Sequence, residues 1–348
     1  MVERIARLAA EFAMVQSQVL YRSDTMSIEY YFKPDHKNRQ LAFVFSSLGS
    51  KILNRNINGG DYLIENGFDV VNFNSNRNDW FQNVPAHIFA TIHAIDRAGS
   101  YEKRVAMGSS MGGYAAICFS KSLGCEVALA YVPQHNVTIQ SDPRFAGFVE
   151  NIEWVYPISR ETISETCRFC IVYDEKDLYD KMHVRYFKSI IPEGNYSEIV
   201  LRYAGHAVVF YLLELGLLKH VSLNVLTGVP VQVSHLRKNR RQSRQYLTIT
   251  ADHLRQKNHA RLSAKVTALI KDKYEPPPAI RWALAHRTRL LSSLAEKMEM
   301  FRLWKMNFDE QFYTHLYWDV LPMGLSPRLH YIRYGRPEQR IIRFRKSG

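Results

Sequence analysis

Apolar positions fall into two spacings. Leu41-Ala42-Phe43-Val44-Phe45 and Val127-Ala128-Leu129-Ala130-Tyr131-Val132 are unbroken apolar runs. Such runs belong to strands covered on both faces, since a strand with one wet face alternates. Asp69-Val70-Val71-Asn72-Phe73, Arg104 to Met107, Arg168 to Asp174 and Ser197 to Tyr203 read as further strands. Val19 to Arg22 and Ser27 to Phe32 read as the two arms of a hairpin. Between strands the period lengthens: Ala86 to Arg97 sets Ile88, Ile92 and Ile95 on one helical face. Strands alternating with helices predict an α/β fold, a mostly parallel sheet with helices on both faces. Met1 to Leu20 reads as an amphipathic helix, and His135 to Thr166 as a long connection forming a small lid.

From about Leu226 the pattern changes. Arg237-Lys238-Asn239-Arg240-Arg241-Gln242-Ser243-Arg244 is a charge run within a long helical stretch. Glu275-Pro276-Pro277-Pro278 breaks that stretch, and Ala279 to Trp304 predicts a second long helix. The expected organisation is a sheet domain over 1–225, a basic helical extension over 226–305 and an aromatic-rich module over 306–348. The net charge of +13 follows this division: residues 219–305 hold 18 Lys and Arg against 5 Asp and Glu, whereas residues 1–218 hold 21 against 24. A basic segment fits an anionic polymer or a membrane surface, here over residues 237–273. Tyr246 is the only aromatic between Leu236 and Lys273, which argues against a stacking groove for single-stranded nucleic acid.

At 46% hydrophobic and 23% charged the chain has the composition of a globular protein with a proper core. No apolar run approaches the ~18–20 residues of a membrane span, and the first twenty residues lack a secretory apolar segment. The expected location is cytoplasmic, extending to peripheral association at the inner membrane face. Cys167-Arg-Phe-Cys170 has ligand-like spacing, but no second pair completes a metal site. The four cysteines read as reduced structural thiols, and no cofactor or metal is expected.

The chemistry centres on Gly108-Ser109-Ser110-Met111-Gly112-Gly113, between an apolar strand and an Ala-rich helix pattern. A strand that reverses into a helix this quickly crowds its own backbone, which glycines on either side of the serine relieve. The turn exposes the Ser110 hydroxyl at a helix N-terminus. Two later strand ends carry matching groups: Asp174-Glu175-Lys176-Asp177-Leu178-Tyr179-Asp180 and Ala204-Gly205-His206. Over roughly residues 19–218 the chain resembles the α/β-hydrolases, with G-x-S-x-G at the nucleophile and the order Ser, acid, His. The resemblance implies Ser110 as nucleophile, His206 as base and Asp177 as acid, with Asp174 as the competing acid. In that family the acid often follows a strand as G-x-x-D; Asp177 occupies the D, and Asp174 replaces the glycine. It also implies an oxyanion hole from the Met111 backbone N–H and a second donor from Ser47 or Leu48.

The last forty residues contain Phe308-Asp309, Tyr313, Tyr317-Trp318-Asp319-Val320, Pro327, His330-Tyr331, Gly335, Glu338 and Arg340. This resembles a small module found beside bacterial glycosyltransferases and other surface-polysaccharide proteins, with the form F-D-x-x-x-Y, Y-x-D-V, P-x-x-H-Y, G-x-x-E-x-R. Taken as a fold, the same residues predict a compact aromatic helical cap. The expectation is a serine esterase or acyltransferase acting through an acyl-Ser110 intermediate on an acylated surface glycan or its precursor. The alternative is a non-catalytic scaffold within a polysaccharide-assembly complex.

Overall fold

The computed structural model describes residues 15–34, 39–49, 53, 60–135, 137, 142–149, 152–274, 294–310, 313 and 326–336. The chain divides into two compact units, Met1–Thr267 and Ala268–Gly348.

The first unit is built on eight strands: β1 (Gln16–Arg22), β2 (Met26–Phe32), β3 (Gln40–Phe45), β4 (Phe68–Ser75), β5 (Lys103–Ser109), β6 (Val127–Tyr131), β7 (Arg168–Tyr173) and β8 (Tyr196–Val200). Their order across the sheet is β1-β2-β4-β3-β5-β6-β7-β8. The hairpin β1–β2 joins β4 antiparallel, and every pair from β4 to β8 is parallel. The apolar runs end where they should: every residue of β4 and β6, and all of β3 after Gln40, is buried. A strand buried along its whole length is covered on both faces, as an α/β sheet requires.

Parallel register aligns the carboxyl ends of the strands. Phe45 pairs with Gly108, Ser109 with Tyr131, and Tyr131 with Val172. After β3 the chain first lays β4 on one side and then β5 on the other. That reversal opens a crevice at the carboxyl ends of β3 and β5, where ligands bind in open α/β sheets.

Three expectations shift. The first strand begins at Gln16, so residues 16–20 of the helix expected over Met1 to Leu20 are strand, and residues 1–14 lie outside the described residues. The last strand ends at Val200 rather than Tyr203, and an irregular loop carries His206. The boundary expected near residue 225 does not divide the chain. Helices Val233–Lys238 and Arg244–Gln256 belong to the sheet unit, fixed by Tyr211 Oη donating to the Leu236 carbonyl at 2.6 Å and Ser243 Oγ to Glu214 at 2.6 Å. Leu236, Leu247 and Ala251 are buried there. A charge run with apolar residues at helical spacing carries one wet and one packed face, and the packed face decides which unit it joins.

In the second unit Leu303, Phe308 and Tyr313 form a core against which Tyr331 and Ile332 pack. Tyr313 Oη and His330 Nδ1 are 3.2 Å apart, and Arg333 pairs with Glu296 at 2.7 Å. The described aromatic and histidine positions of the C-terminal motif run are thus packing positions. Tyr317 to Val320, Glu338 and Arg340 lie outside the described residues, as do Pro276–Pro278 and the first part of the helix expected from Ala279. Among the described residues no single helix is long and apolar enough to cross a membrane.

Candidate active site

Ser110 sits between β5 and the helix Met111–Cys118 with φ 55° and ψ −116°, a conformation that L-residues adopt only under constraint. The constraint is backbone contact. A Cβ on Gly108 would lie 2.2 Å from the Gly112 carbonyl oxygen, and one on Gly112 would lie 2.5 Å from that of Phe45. Only glycine fits at either place. The Ser110 N–H donates to the Tyr131 carbonyl at 2.8 Å, fixing the turn to the end of β6.

Ser110 Oγ lies 3.0 Å from His206 Nε2, and His206 Nδ1 lies 2.8 Å from Asp180 Oδ1. An ionised carboxylate only accepts, so Nδ1 carries the proton and Nε2 is free to accept from the serine. This is the arrangement in which a serine can be deprotonated as it attacks.

The carboxylate on His206 is therefore Asp180, not Asp177. Asp177 is the N-cap of helix Leu178–Ile190, accepting from the backbone N–H groups of Tyr179 and Asp180 at 3.1 and 3.0 Å. A carboxylate committed to helix N–H groups is not available to a distant imidazole. An Asp directly before a helical pattern is itself a capping signal, and it marks the residue one turn later as the one free to point away. Asp174 is not on His206 either. It accepts from Lys176 N at 2.8 Å and from Gly205 N at 2.8 Å, tying the histidine loop to the end of β7.

Burial pushes the carboxyls of Asp174 and Asp177 up. Asp180 is buried too, yet its carboxyl is held below the usual range, because His206 and Arg144 outweigh the desolvation. Arg144 was not singled out from the sequence. Its guanidinium bridges Asp180 at 2.9 Å, Asp142 at 2.7 Å and Asp177 at 3.3 Å. Asp142 in turn accepts from His183 Nε2 at 3.0 Å, and His183 Nδ1 lies 3.0 Å from His135 Nδ1. Burial, together with the charge His183 would carry, drives the His135 imidazole down to about 4. Arg144 and Phe145 come from the connection expected to form a lid. Its described part lies beside the site: the Phe145 ring is 5.9 Å from that of His206.

A second residue missed by sequence reading touches the serine. Gln134, fully buried after β6, donates from Nε2 to Ser110 Oγ at 2.8 Å. Its Oε1 accepts from the Trp80 indole at 3.1 Å. No motif flags it. Only the pairing of β5 with β6 brings the residues after Tyr131 to the elbow.

Ser47 and Leu48 follow β3, whose end lies against Gly112. The next N–H, that of Gly49, donates to Asn78 at 3.0 Å. Cys118, Cys125, Cys167 and Cys170 are buried free thiols, and burial pushes Cys167 up to about 12 and Cys170 up to about 11. Among the described residues no cluster of three His, Cys, Asp or Glu could hold a metal ion.

No family model matches the sequence, and no curated protein matches it. Several solved structures are similar in fold. The capsule O-acetyltransferase of Neisseria meningitidis serogroup A has 13% identity over 57% of this chain and 93% of that one, with a TM-score of 0.43. An esterase of Pyrococcus furiosus has 14% identity over 63% and 95%, with a TM-score of 0.45. A serine hydrolase without lid from Xanthomonas campestris has 15% identity over 62% and 97%, with a TM-score of 0.40. These are distant likenesses, and what Ser110, His206 and Asp180 can do follows from their own distances.

Proposed function

We propose that this chain is a serine esterase or acyltransferase working through an acyl-Ser110 intermediate. The observation that carries the reading is the continuous line Asp180–His206–Ser110, with both hydrogen bonds formed and the serine on a constrained turn. Ser110 Oγ attacks the carbonyl carbon of an ester, and its proton passes to His206 Nε2. The carbonyl electron pair moves onto oxygen, then returns as the alcohol leaves, taking the proton from His206. Water or an acceptor hydroxyl repeats the sequence in reverse to release the acyl group. Asp180 holds the imidazole in the required tautomer and stabilises its charged form. The Met111 backbone N–H, at the helix N-terminus beside Ser110, faces developing negative charge, and the Ser47 or Leu48 N–H is the expected backbone companion.

As the substrate we propose an acylated bacterial surface polysaccharide or its precursor. Support comes from the motif run over residues 308–340 and from the basic turn Arg237–Gln242. Arg237 donates to the carbonyl of Val200 at 2.9 Å, bringing this turn to the carboxyl end of β8, the end of the sheet at which Ser110 follows β5, with Lys238 and Arg240 exposed. An anionic polymer held there would lie at the carboxyl ends of the strands.

A fluorophosphonate probe should label the wild-type chain, and Ser110→Ala should abolish labelling with an unchanged circular dichroism spectrum. His206→Ala should remove most turnover of small esters, because the residues of such a chain act as a unit. Labelling that persists in folded Ser110→Ala overturns the assignment.

A further inference from the structure

Gln134 is a buried amide whose NH₂ group reaches the reacting oxygen. Its orientation is not free. An indole N–H can only donate, so Trp80 fixes Oε1 on its own side and turns the NH₂ group toward Ser110. Nε2 also stands 3.3 Å from His206 Nε2, the atom that takes the proton.

The chain adopts unfavourable backbone to make this contact. Val132, two residues before Gln134, has φ 43°, in the left-handed region that a β-branched residue almost never enters. Trp80 and Phe81 are consecutively left-handed, with φ 52° and 59°, and both are fully buried. Each such residue is unfavourable by itself and persists only where surrounding structure enforces it. The Trp80–Phe81 turn also serves Gln82, which gives to the Trp80 carbonyl at 3.0 Å. At Gln134 the turn supplies the Trp80 indole, and the remaining amide N–H is aimed at Ser110 Oγ.

We propose that Gln134 is a side-chain oxyanion donor, additional to the backbone N–H groups at Met111 and at Ser47 or Leu48; the proposal rests on the acyl-Ser110 reading. In the resting enzyme the Gln134 N–H is given to Ser110 Oγ, whose own proton is directed to His206. When Oγ bonds to the carbonyl carbon it becomes an ester oxygen and a poor acceptor. The negative charge appears on the former carbonyl oxygen, attached to the same carbon. The Gln134 N–H then passes from Oγ to that oxygen, and the interaction strengthens only as the transition state forms. No proton leaves Gln134 at any stage. Loss of such a donor lowers kcat and leaves ground-state binding nearly intact.

The test uses the full-length protein and a small activated ester such as p-nitrophenyl acetate, with fold checked by circular dichroism and Tm. Gln134→Ala should lower kcat by about 10²–10³-fold with KM changed by less than about threefold. Gln134→Glu keeps the volume and the acceptor for Trp80 while removing the donor, and should lose at least as much. Trp80→Phe keeps the ring packing and frees the amide to rotate, and should lose about tenfold in kcat. Fluorophosphonate labelling of Ser110 should slow in the same order. If folded Gln134→Ala and Gln134→Glu keep kcat within about threefold of wild type, or change KM alone, the proposal is overturned. A wild-type chain that is neither labelled at Ser110 nor active on any ester overturns the acyl-serine reading, and this proposal with it. Labelled, active wild type with unaffected Gln134 variants overturns this proposal alone.

Discussion

At the scale of residues, three aspartates within one turn and a half of chain take three different jobs. Asp174 ties the histidine loop, Asp177 caps a helix, and Asp180 meets His206. Asp180→Asn should therefore lower kcat by a factor approaching ~10⁴, as expected when the histidine tautomer is lost. Asp177→Asn should leave kcat nearly unchanged, since Asn caps about as well as Asp, and Asp177→Ala should cost about 1 kcal/mol of stability. Steady-state kinetics and urea unfolding on the three variants separate the roles; a larger kcat loss in Asp177→Asn than in Asp180→Asn would overturn this division. Ser110 and His206 were readable because local backbone needs accompany them, glycines around one and a Gly-His loop before a helix for the other. The carboxylate on His206 lies three residues beyond the one the sequence points to, because a strand-end aspartate and a first-turn aspartate look alike until the helix start is fixed. Gln134 and Arg144 carry no local signal at all.

At the scale of elements, the helix Arg244–Gln256 is part of the histidine loop's support. Gln245 Nε2 donates to the Ala204 carbonyl at 2.7 Å. Gly205, with φ 65°, sits so close that a Cβ would lie 2.9 Å from Ile249 Cδ1. The expectation that the sheet domain would be complete near residue 225 thus fails for a physical reason: the loop bearing His206 ends at a surface this helix covers. Gln245→Ala leaves a buried carbonyl unsatisfied, costing about 1–3 kcal/mol. It should also reduce kcat by ten- to about a hundred-fold through displacement of His206, with no group removed from the reacting atoms. A chain ending at residue 225 should be inactive and prone to aggregate, because the partners of Leu236 and Leu247 become exposed. Esterase assays and gel filtration on both would decide; full activity in the shorter chain would show that the helix is dispensable.

For the whole molecule, the division into units falls within the helix Ala260–Tyr274, after Val233–Lys238 and Arg244–Gln256 rather than before them. A chain ending after Tyr274 should keep kcat on a small ester within about twofold of full length, since each unit has its own core. It should also keep salt-sensitive binding to an acidic polysaccharide, because the turn Arg237–Gln242 stays with the sheet. Loss of both on removal of residues 275–348 would mean that the second unit contributes to the site. By itself, the sequence determined the α/β class, the strands near their observed limits, the serine turn and its histidine. These are set by apolar period and by backbone sterics, which act over a few neighbouring residues. Tertiary structure alone decided which aspartate meets His206, that Gln134 and Arg144 lie beside it, and that the helix Arg244–Gln256 packs on the histidine loop. Those contacts join residues 24, 36 and 41 positions apart. They depend on strand order and helix docking, which no local pattern encodes.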